Sequence, residues 1–195
     1  MAQRTMTRRR GERMVRLAGW FGSVVLVLAL AVVGAAAAGT VAPSKKTPAK
    51  TQAQDTAAAA ARAEQHVVQG MNYIKMKDFD NAIVEFTRAT DLMPNYAVAY
   101  SNRGVAYIQQ RKLNKASDDL LKAVQLDPSD KNIHYNLTAL YCLQGAKDRA
   151  FDSLDKALEN GFDNYDALRT DPDIEGIRND PEFRKILEKH KVFIR

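Results

Sequence analysis

Cysteine and histidine are scarce in this chain, which contains one cysteine and three histidines among 195 residues. The single cysteine, Cys142, cannot form a disulfide framework or provide the paired thiolates of a zinc site. We interpret it as a buried, apolar side chain, which is the usual state of a free cysteine. Glycine-rich phosphate loops and the motifs H-E-x-x-H and G-x-S-x-G are also missing. The sequence therefore predicts a protein that is not an enzyme and that needs no metal and no cofactor.

An excess of positive charge is missing from the larger, C-terminal part of the chain. Residues 1–62 contain ten Lys or Arg and two acidic residues, whereas the remainder contains 19 basic and 21 acidic residues. Nucleic-acid binding depends on clustered Lys and Arg that neutralise phosphates. Because the basic residues are concentrated in the leader and the segment after it, the sequence predicts no nucleic-acid partner.

Charged residues are absent from residues 17–43, which follow an Arg-rich leader at 1–16. The apolar run 17–38 would extend about 33 Å as a helix, enough to cross a hydrocarbon core of about 30 Å. Trp20 and Phe21 lie near its charged end, where aromatic side chains favour the membrane interface. We therefore predict a transmembrane helix within 17–42. By the positive-inside rule, the leader is cytoplasmic and the rest of the chain is periplasmic or otherwise extracytoplasmic.

A cleaved signal peptide is the alternative interpretation of the same segment. Ala36 and Ala38 form an A-x-A arrangement of the kind that precedes a cleavage site, and cleavage would release a soluble periplasmic protein. The uncleaved form would be a single-pass protein of the inner, cytoplasmic membrane in a bacterial-type envelope. Residues 43–55 have the composition of a flexible linker. A helix is expected to begin near Asp55 or Thr56, where a capping side chain precedes an alanine run.

Internal repetition organises the remaining sequence, in which similar residues recur every 34 positions. The first set is Gly70, Tyr73, Phe79, Ala82, Phe86, Ala89 and Pro94. The second set is Gly104, Tyr107, Leu113, Ala116, Leu120, Ala123 and Pro128. The third and weaker set is Thr138, Tyr141, Lys147, Ala150, Leu154, Ala157 and Phe162. This pattern resembles the tetratricopeptide repeat over about residues 63–164.

The resemblance implies an all-α fold, a short right-handed solenoid of three helix pairs. The transmembrane helix predicted from the apolar segment would precede it. The three units are 63–96, 97–130 and 131–164, within a region spanning 56–164. Residues 165–195 do not repeat the motif, and the pairs Asp171-Pro172 and Asp180-Pro181 each predict a helix start. A stripe of Phe183, Ile186, Leu187 and His190 suggests that these helices cap the last unit. The alternative is that this stripe binds a partner.

In the family that the repeats resemble, the first helices of successive units line a concave groove. The resemblance thereby predicts partner-binding residues at equivalent repeat positions, namely Met71, Ile74, Lys75, Asn102, Val105, Gln109, Asn132, Tyr135 and Asn136. The two asparagines Asn102 and Asn136 could pair with the backbone of an extended peptide. The apolar positions could instead take an amphipathic helix. A further alternative is that the protein's own residues 57–62 or its C-terminal cap fill the groove.

Relatives that hold the acidic C-terminal tails of heat-shock chaperones use Lys, Arg and Asn in this groove. In the present sequence Asn102 matches one of those positions, whereas the other four contain no cation: Val67, Met71, Asn132 and Asn136. A ligand with a terminal carboxylate is therefore disfavoured. His66 and His134 share one repeat position, which favours a packing role for both rather than catalysis.

These features together predict a membrane-anchored scaffold or assembly factor that binds a protein partner through the concave groove. Two alternatives remain open at this stage. The protein could be a stable accessory subunit of a large membrane protein complex, in which the apolar segment packs against other subunits. If the N-terminal segment is cleaved, it would be an exported, soluble periplasmic adaptor.

Overall fold

The computed structural model describes residues 49–194, which form an all-α repeat solenoid without β-strands. Six long helices make three antiparallel pairs, and shorter helices follow them. The helices are α1 (Ala49–Lys75), α2 (Phe79–Leu92), α3 (Ala97–Gln109), α4 (Leu113–Leu126), α5 (Lys131–Leu143), α6 (Lys147–Glu159), α7 (Tyr165–Thr170), a 3₁₀ helix (Pro172–Ile174), α8 (Glu175–Arg178) and α9 (Pro181–Lys189). The all-α fold predicted from the repeats is confirmed for this part of the chain.

The turn inside each helix pair has the same backbone conformation in all three units. Lys77, Arg111 and Gly145 occupy the same repeat position and have positive φ angles of 59°, 57° and 72°. The amide of each donates to a carbonyl three residues earlier, and the next amide donates to a carbonyl five residues earlier. This is the pattern that commonly ends a helix at a left-handed residue. Only the third unit uses glycine, the residue that adopts this conformation without strain.

Close contact within each pair depends on small residues at the centre of the first helix. A Cβ atom added to Gly70 would lie 2.5 Å from Cε1 of Phe86, and one added to Gly104 would lie 2.8 Å from Cγ of Leu120. The third unit has Thr138 at this position. Its side chain is completely buried, and its hydroxyl donates to the carbonyl of His134. The third pair therefore accommodates a larger residue than the other two pairs do.

The two junctions between units differ in chemistry. Between the first and second units, the guanidinium of Arg103 donates two hydrogen bonds to Asp119 and one each to Thr87 and Thr90. At the next junction, one repeat later in the sequence, the same four positions hold Leu137, Ser153, Leu121 and Val124. The first junction thus contains a nearly buried ion pair where the second is mainly apolar.

Helix α1 differs from the sequence prediction, because residues 49–55 are already helical, whereas the sequence predicts a start near Asp55 or Thr56. Thr56 was expected to be near the cap, but its hydroxyl donates to the carbonyls of Gln52 and Ala53 from within the helix. Threonine makes such bonds in helix interiors as well as at caps. The last residues of the predicted linker 43–55 are therefore helical.

The predicted transmembrane segment 17–42 and the leader 1–16 lie outside the described residues. Among the helices of residues 49–194, none combines the length and the apolar character needed to span a membrane.

The C-terminal helices keep the register of the repeats, although they lack its motif. Helix α7 begins one repeat period after α5, and α9 begins one repeat period after α6. The first helix of this fourth pair ends at Thr170, and the chain restarts in a 3₁₀ helix at Pro172, since proline cannot continue a helix. Asp171 and Asp180 each accept a bond from a backbone amide at the start of the following helix. Phe183, Ile186 and Leu187 pack in the same apolar cluster as Leu154.

Candidate functional site

The first helices of the three units are α1, α3 and α5. They lie side by side, with α1 in contact with α3 and α3 in contact with α5. Eight large hydrophobic side chains are exposed among the described residues, and three of them occupy groove positions on α1 and α3. These are Val68, Met71 and Val98, which are 54%, 44% and 38% exposed. Val68 lies one repeat period before Asn102, and Val98 lies one repeat period before Asn132, so both occupy positions of the predicted groove. Soluble surfaces rarely concentrate large apolar side chains without a reason, so this patch marks α1 and α3 as a candidate contact surface.

Two amide side chains lie at the predicted groove positions of α3 and α5. The amide nitrogen of Asn136 donates to the hydroxyl of Ser101 over 3.0 Å, which joins α5 to α3. The amide nitrogen of Asn102 donates to the carbonyl of Val98 in its own helix. Within residues 49–194, neither side-chain carbonyl oxygen accepts a hydrogen bond from the protein. Both oxygens are thus available to accept from a peptide N–H group.

The side chains of the other predicted groove residues differ in their exposure to solvent. Ile74 and Val105 are half-buried, whereas Lys75, Gln109 and Asn132 are exposed. Gln109 also donates to a carboxylate oxygen of Asp173 in the C-terminal region. Asn132 is the one predicted α5 residue that is exposed, since Asn136 is half-buried and Tyr135 is buried.

Tyr135 is not available to a partner, in contrast to its predicted role. Its side chain is 8% exposed, its ring stacks on Phe162 at 4.4 Å between centroids, and its hydroxyl donates to Asp171 over 2.7 Å. Burial and the bond to Asp171 both raise the pKa of the phenol, so Tyr135 stays protonated at physiological pH. The residue serves the protein's own packing.

The segment that covers Tyr135 consists of residues 171–174, which we call the strap. It packs against α5 and reaches α3, where Asp173 accepts from Gln109 and lies 3.5 Å from the guanidinium of Arg111. Burial, followed by repulsion from Asp171, raises the pKa of Asp173. The alternative in which the C-terminal cap fills part of the groove therefore matches the arrangement seen at α5.

Cys142 lies beside the same segment and is half-buried. Burial, together with the carboxylates of Asp171 and Asp173, raises the pKa of its thiol to about 11. A thiol with such a pKa is almost wholly protonated at neutral pH and reacts slowly as a nucleophile.

The two histidines at the shared repeat position both make structural contacts. Nδ1 of His66 lies 2.6 Å from a carboxylate oxygen of Glu85, which also accepts from Arg88. Nε2 of His134 lies 2.8 Å from the carbonyl of Pro128. In residues 49–194 no group of three metal-ligating side chains converges.

The sequence offers the C-terminal cap as one possible filler of the groove, but the prediction did not identify residues 171–174 as the filling segment, although a signal for them is present. If the 34-residue period is continued beyond the third unit, a further first helix is predicted to begin at residue 165. Pro172 then occupies the position that glycine has in the first two units. A proline in the middle of a first helix predicts a break at that point.

Residues 66–96 and 97–130 match family models of the tetratricopeptide repeat. The first TPR of Spaghetti (RPAP3), bound to an HSP90 peptide, is similar with 25% identity and a TM-score of 0.54 over 67% of this chain and 94% of that one. The first TPR domain of human RPAP3 is 22% identical with a TM-score of 0.54, over 67% of this chain and 95% of that one.

The TPR2B domain of yeast Sti1, in complex with an Hsp70 peptide, has 21% identity and a TM-score of 0.51, over 67% of this chain and 97% of that one. No curated protein matches the chain. The chain therefore contains tetratricopeptide repeats, and its described part has their fold.

Proposed function

We propose that this chain, which contains tetratricopeptide repeats, is a scaffold that binds an apolar segment of a partner protein in the groove formed by α1 and α3. The observation that carries the proposal is the exposure of Val68, Met71 and Val98 at groove positions of these two helices. Similar repeat domains bind peptides of HSP90 and Hsp70, which supports a peptide as the ligand.

The chemistry of the groove favours an internal segment over an acidic C-terminus. Val67, at the first position where chaperone-binding relatives have a cation, is 4% exposed and apolar. Asn132 and Asn136 are neutral at the third-unit positions. A terminal carboxylate bound here would lose its hydration without gaining a charged partner, which is costly. An apolar segment would instead bury Met71 and Val98, at about 25 cal/mol per Å² of apolar surface.

Backbone recognition complements the apolar contact. The free carbonyl oxygens of Asn102 and Asn136 can each accept from a main-chain N–H of an extended ligand. Contacts of this kind give affinity with little dependence on ligand sequence, whereas the apolar positions select side chains. The proposed ligand is therefore a short, extended and apolar stretch of another protein.

Site-specific photo-cross-linking tests this proposal in cells. A photoreactive phenylalanine analogue replaces Val98 in the groove or, as a matched control, Val84 on α2, which is 46% exposed. We expect cross-links from position 98 to a defined segment of one or a few proteins and none to that segment from position 84. Equal cross-linking from both positions would show that the groove is not the binding surface.

The proposal also includes the location of the scaffold. The apolar run 17–38 and the arginines before it support a membrane anchor with the repeats on the extracytoplasmic side. Tethering would restrict the search for membrane partners and raise their effective concentration. The intact mass of the native protein from the membrane fraction tests this point. Retention of residues 1–38 supports the anchor, whereas a mass that begins near Gly39 in the soluble extract supports the exported adaptor.

A further inference from the structure

The strap occupies the part of the groove that the third unit would otherwise provide. Its Asp171 accepts from Tyr135, and its Asp173 accepts from Gln109, so that it contacts groove positions on both α5 and α3. Ala139 and Cys142, two further groove positions of α5, pack into the cluster that contains Ile174 and Ile177. Of the three predicted residues on α5, Asn132 is exposed and Asn136 is half-buried, whereas Tyr135 is buried.

The strap is anchored as part of the core. Ile174 of the strap and Ile177 of the following helix α8 are 0% and 1% exposed. Arg178 donates from Nε to the carbonyl of Leu168 and from an η nitrogen to the carbonyl of Asp171, so it ties the strap to α7. Releasing the strap together with α8 would expose both isoleucine side chains, each worth about 1.5–3 kcal/mol of burial. A groove ligand would have to compensate for that loss before it gained any contact on α5 beyond Asn132 and Asn136.

We propose that the strap is a permanent end wall, which limits partner binding to α1, α3 and the two asparagines of α5. This inference rests on the proposed function and specifies the kind of ligand. Neighbouring packed helices are about 8–10 Å apart, and an extended chain rises about 3.3 Å per residue. The ligand therefore contacts the groove through about three to five consecutive residues, and a longer ligand gains nothing from α5 beyond Asn132 and Asn136.

Hydrogen exchange of the ligand-free protein tests the wall without any partner. Native exchange of the full-length protein in mild detergent, followed by mass spectrometry, compares residues 172–178 with α6. We expect the amides of Ile174 and Arg178 to be protected to an extent similar to that of buried α6 amides, since a core segment opens only with its surroundings. Exchange of 172–178 as fast as that of exposed loops would overturn the proposal.

Binding experiments then test whether the wall limits the ligand. Random 12-residue peptides displayed on phage are selected on the full-length protein, and selected sequences are synthesised and shortened. We expect a core of about three to five residues to retain affinity within about threefold, and ligand-induced protection to be confined to α1, α3 and the start of α5 around Asn132 and Asn136. Protection of residues 139–143, or faster exchange of 172–178 on binding, would show that ligands displace the strap.

Two variants separate failure of the wall from failure of the groove. Tyr135→Phe removes the hydroxyl that bonds Asp171 while it keeps the stacked ring. We expect this variant to bind the selected peptides as the natural protein does, whereas Val98→Asp should weaken binding at least tenfold, or about 1.4 kcal/mol. Tighter binding by Tyr135→Phe would contradict the wall alone. Binding that is indifferent to Val98→Asp would instead contradict the groove.

Discussion

The ion pair between Arg103 and Asp119 lies within the second unit, and the same guanidinium also bonds Thr87 and Thr90 of the first unit, which allows a quantitative test of this buried cluster. Its side chains are 15% and 10% exposed, and the guanidinium makes four hydrogen bonds that link α3 to α4 and α2. The hydrogen bond from Arg103 to Asp119 is the main reason why the pKa of Arg103 is raised. The perturbation replaces this pair by Leu and Ser, which the chain itself has at the equivalent positions of the next junction.

The expected magnitudes follow from what each variant leaves behind. Asp119→Ser leaves a nearly buried guanidinium without its carboxylate, which typically costs about 3–5 kcal/mol. The double variant Arg103→Leu with Asp119→Ser removes both charges. Thr87 and Thr90 keep the bonds that their hydroxyls donate to backbone carbonyls. We therefore expect the double variant to lie within about 1 kcal/mol of the natural protein, since apolar replacement of a buried pair is often neutral.

Urea unfolding of the full-length protein in mild detergent, followed by circular dichroism, measures these differences. The exposed pair of Lys185 and Glu182 is the control, and Glu182→Ser should leave the free energy of unfolding almost unchanged, since water screens such pairs. The reasoning is refuted if Asp119→Ser is as stable as the natural protein. It is also refuted if the double variant is as unstable as the single one, because the cost would then not come from an uncompensated charge.

Four further predictions concern a turn, the strap, an exposed ion pair and a helix contact. Lys77→Gly should stabilise the protein by about 1 kcal/mol in urea unfolding, because its φ of 59° is unfavourable for residues other than glycine. Burial and a neighbouring carboxylate raise the pKa of Asp173, so its ionised form lowers stability at neutral pH. Asp173→Asn should thus raise Tm at pH 7, with a gain that disappears below about pH 3.9. The hydrogen bond from Lys131 lowers the pKa of Asp163. Asp163→Asn should therefore lower Tm at pH 7, opposite in sign to Asp173→Asn. Gly70→Ala should cost about 1–2 kcal/mol, since overpacking against Phe86 exceeds the gain in helix propensity.

The helix pairs could be predicted from sequence because the repeat pattern encodes both the contacts and their spacing. Gly70 and Gly104 mark the places where a Cβ would strike the partner helix, and Pro94 and Pro128 follow the second helices. Residues of this kind report local geometry directly. The all-α fold follows from them without any knowledge of the tertiary structure.

The strap and the charged junction could not be predicted in the same way, because both depend on contacts between residues distant in sequence. Asp171 is a helix cap by its sequence context, and only the tertiary structure brings it to Tyr135, 36 positions earlier. Arg103 occupies a repeat position that is apolar in the third unit, and its partner on α4 lies 16 residues away. The early start of α1 was missed for a different reason. A threonine such as Thr56 can hydrogen-bond backbone groups both at a helix cap and inside a helix, so its presence does not locate the helix start.

The affinity of the cross-linked partner segment for groove and control variants tests the central claim most directly. The segment is synthesised as a peptide and titrated into the full-length protein by calorimetry, with Val98→Asp on α3 compared with Val84→Asp on α2. A carboxylate at position 98 would lose its hydration when an apolar ligand covers it, so binding should weaken by at least about tenfold. The same change at position 84 should leave the affinity unchanged. Equal affinities of the two variants, or a larger loss at position 84, would contradict binding in the groove of α1 and α3.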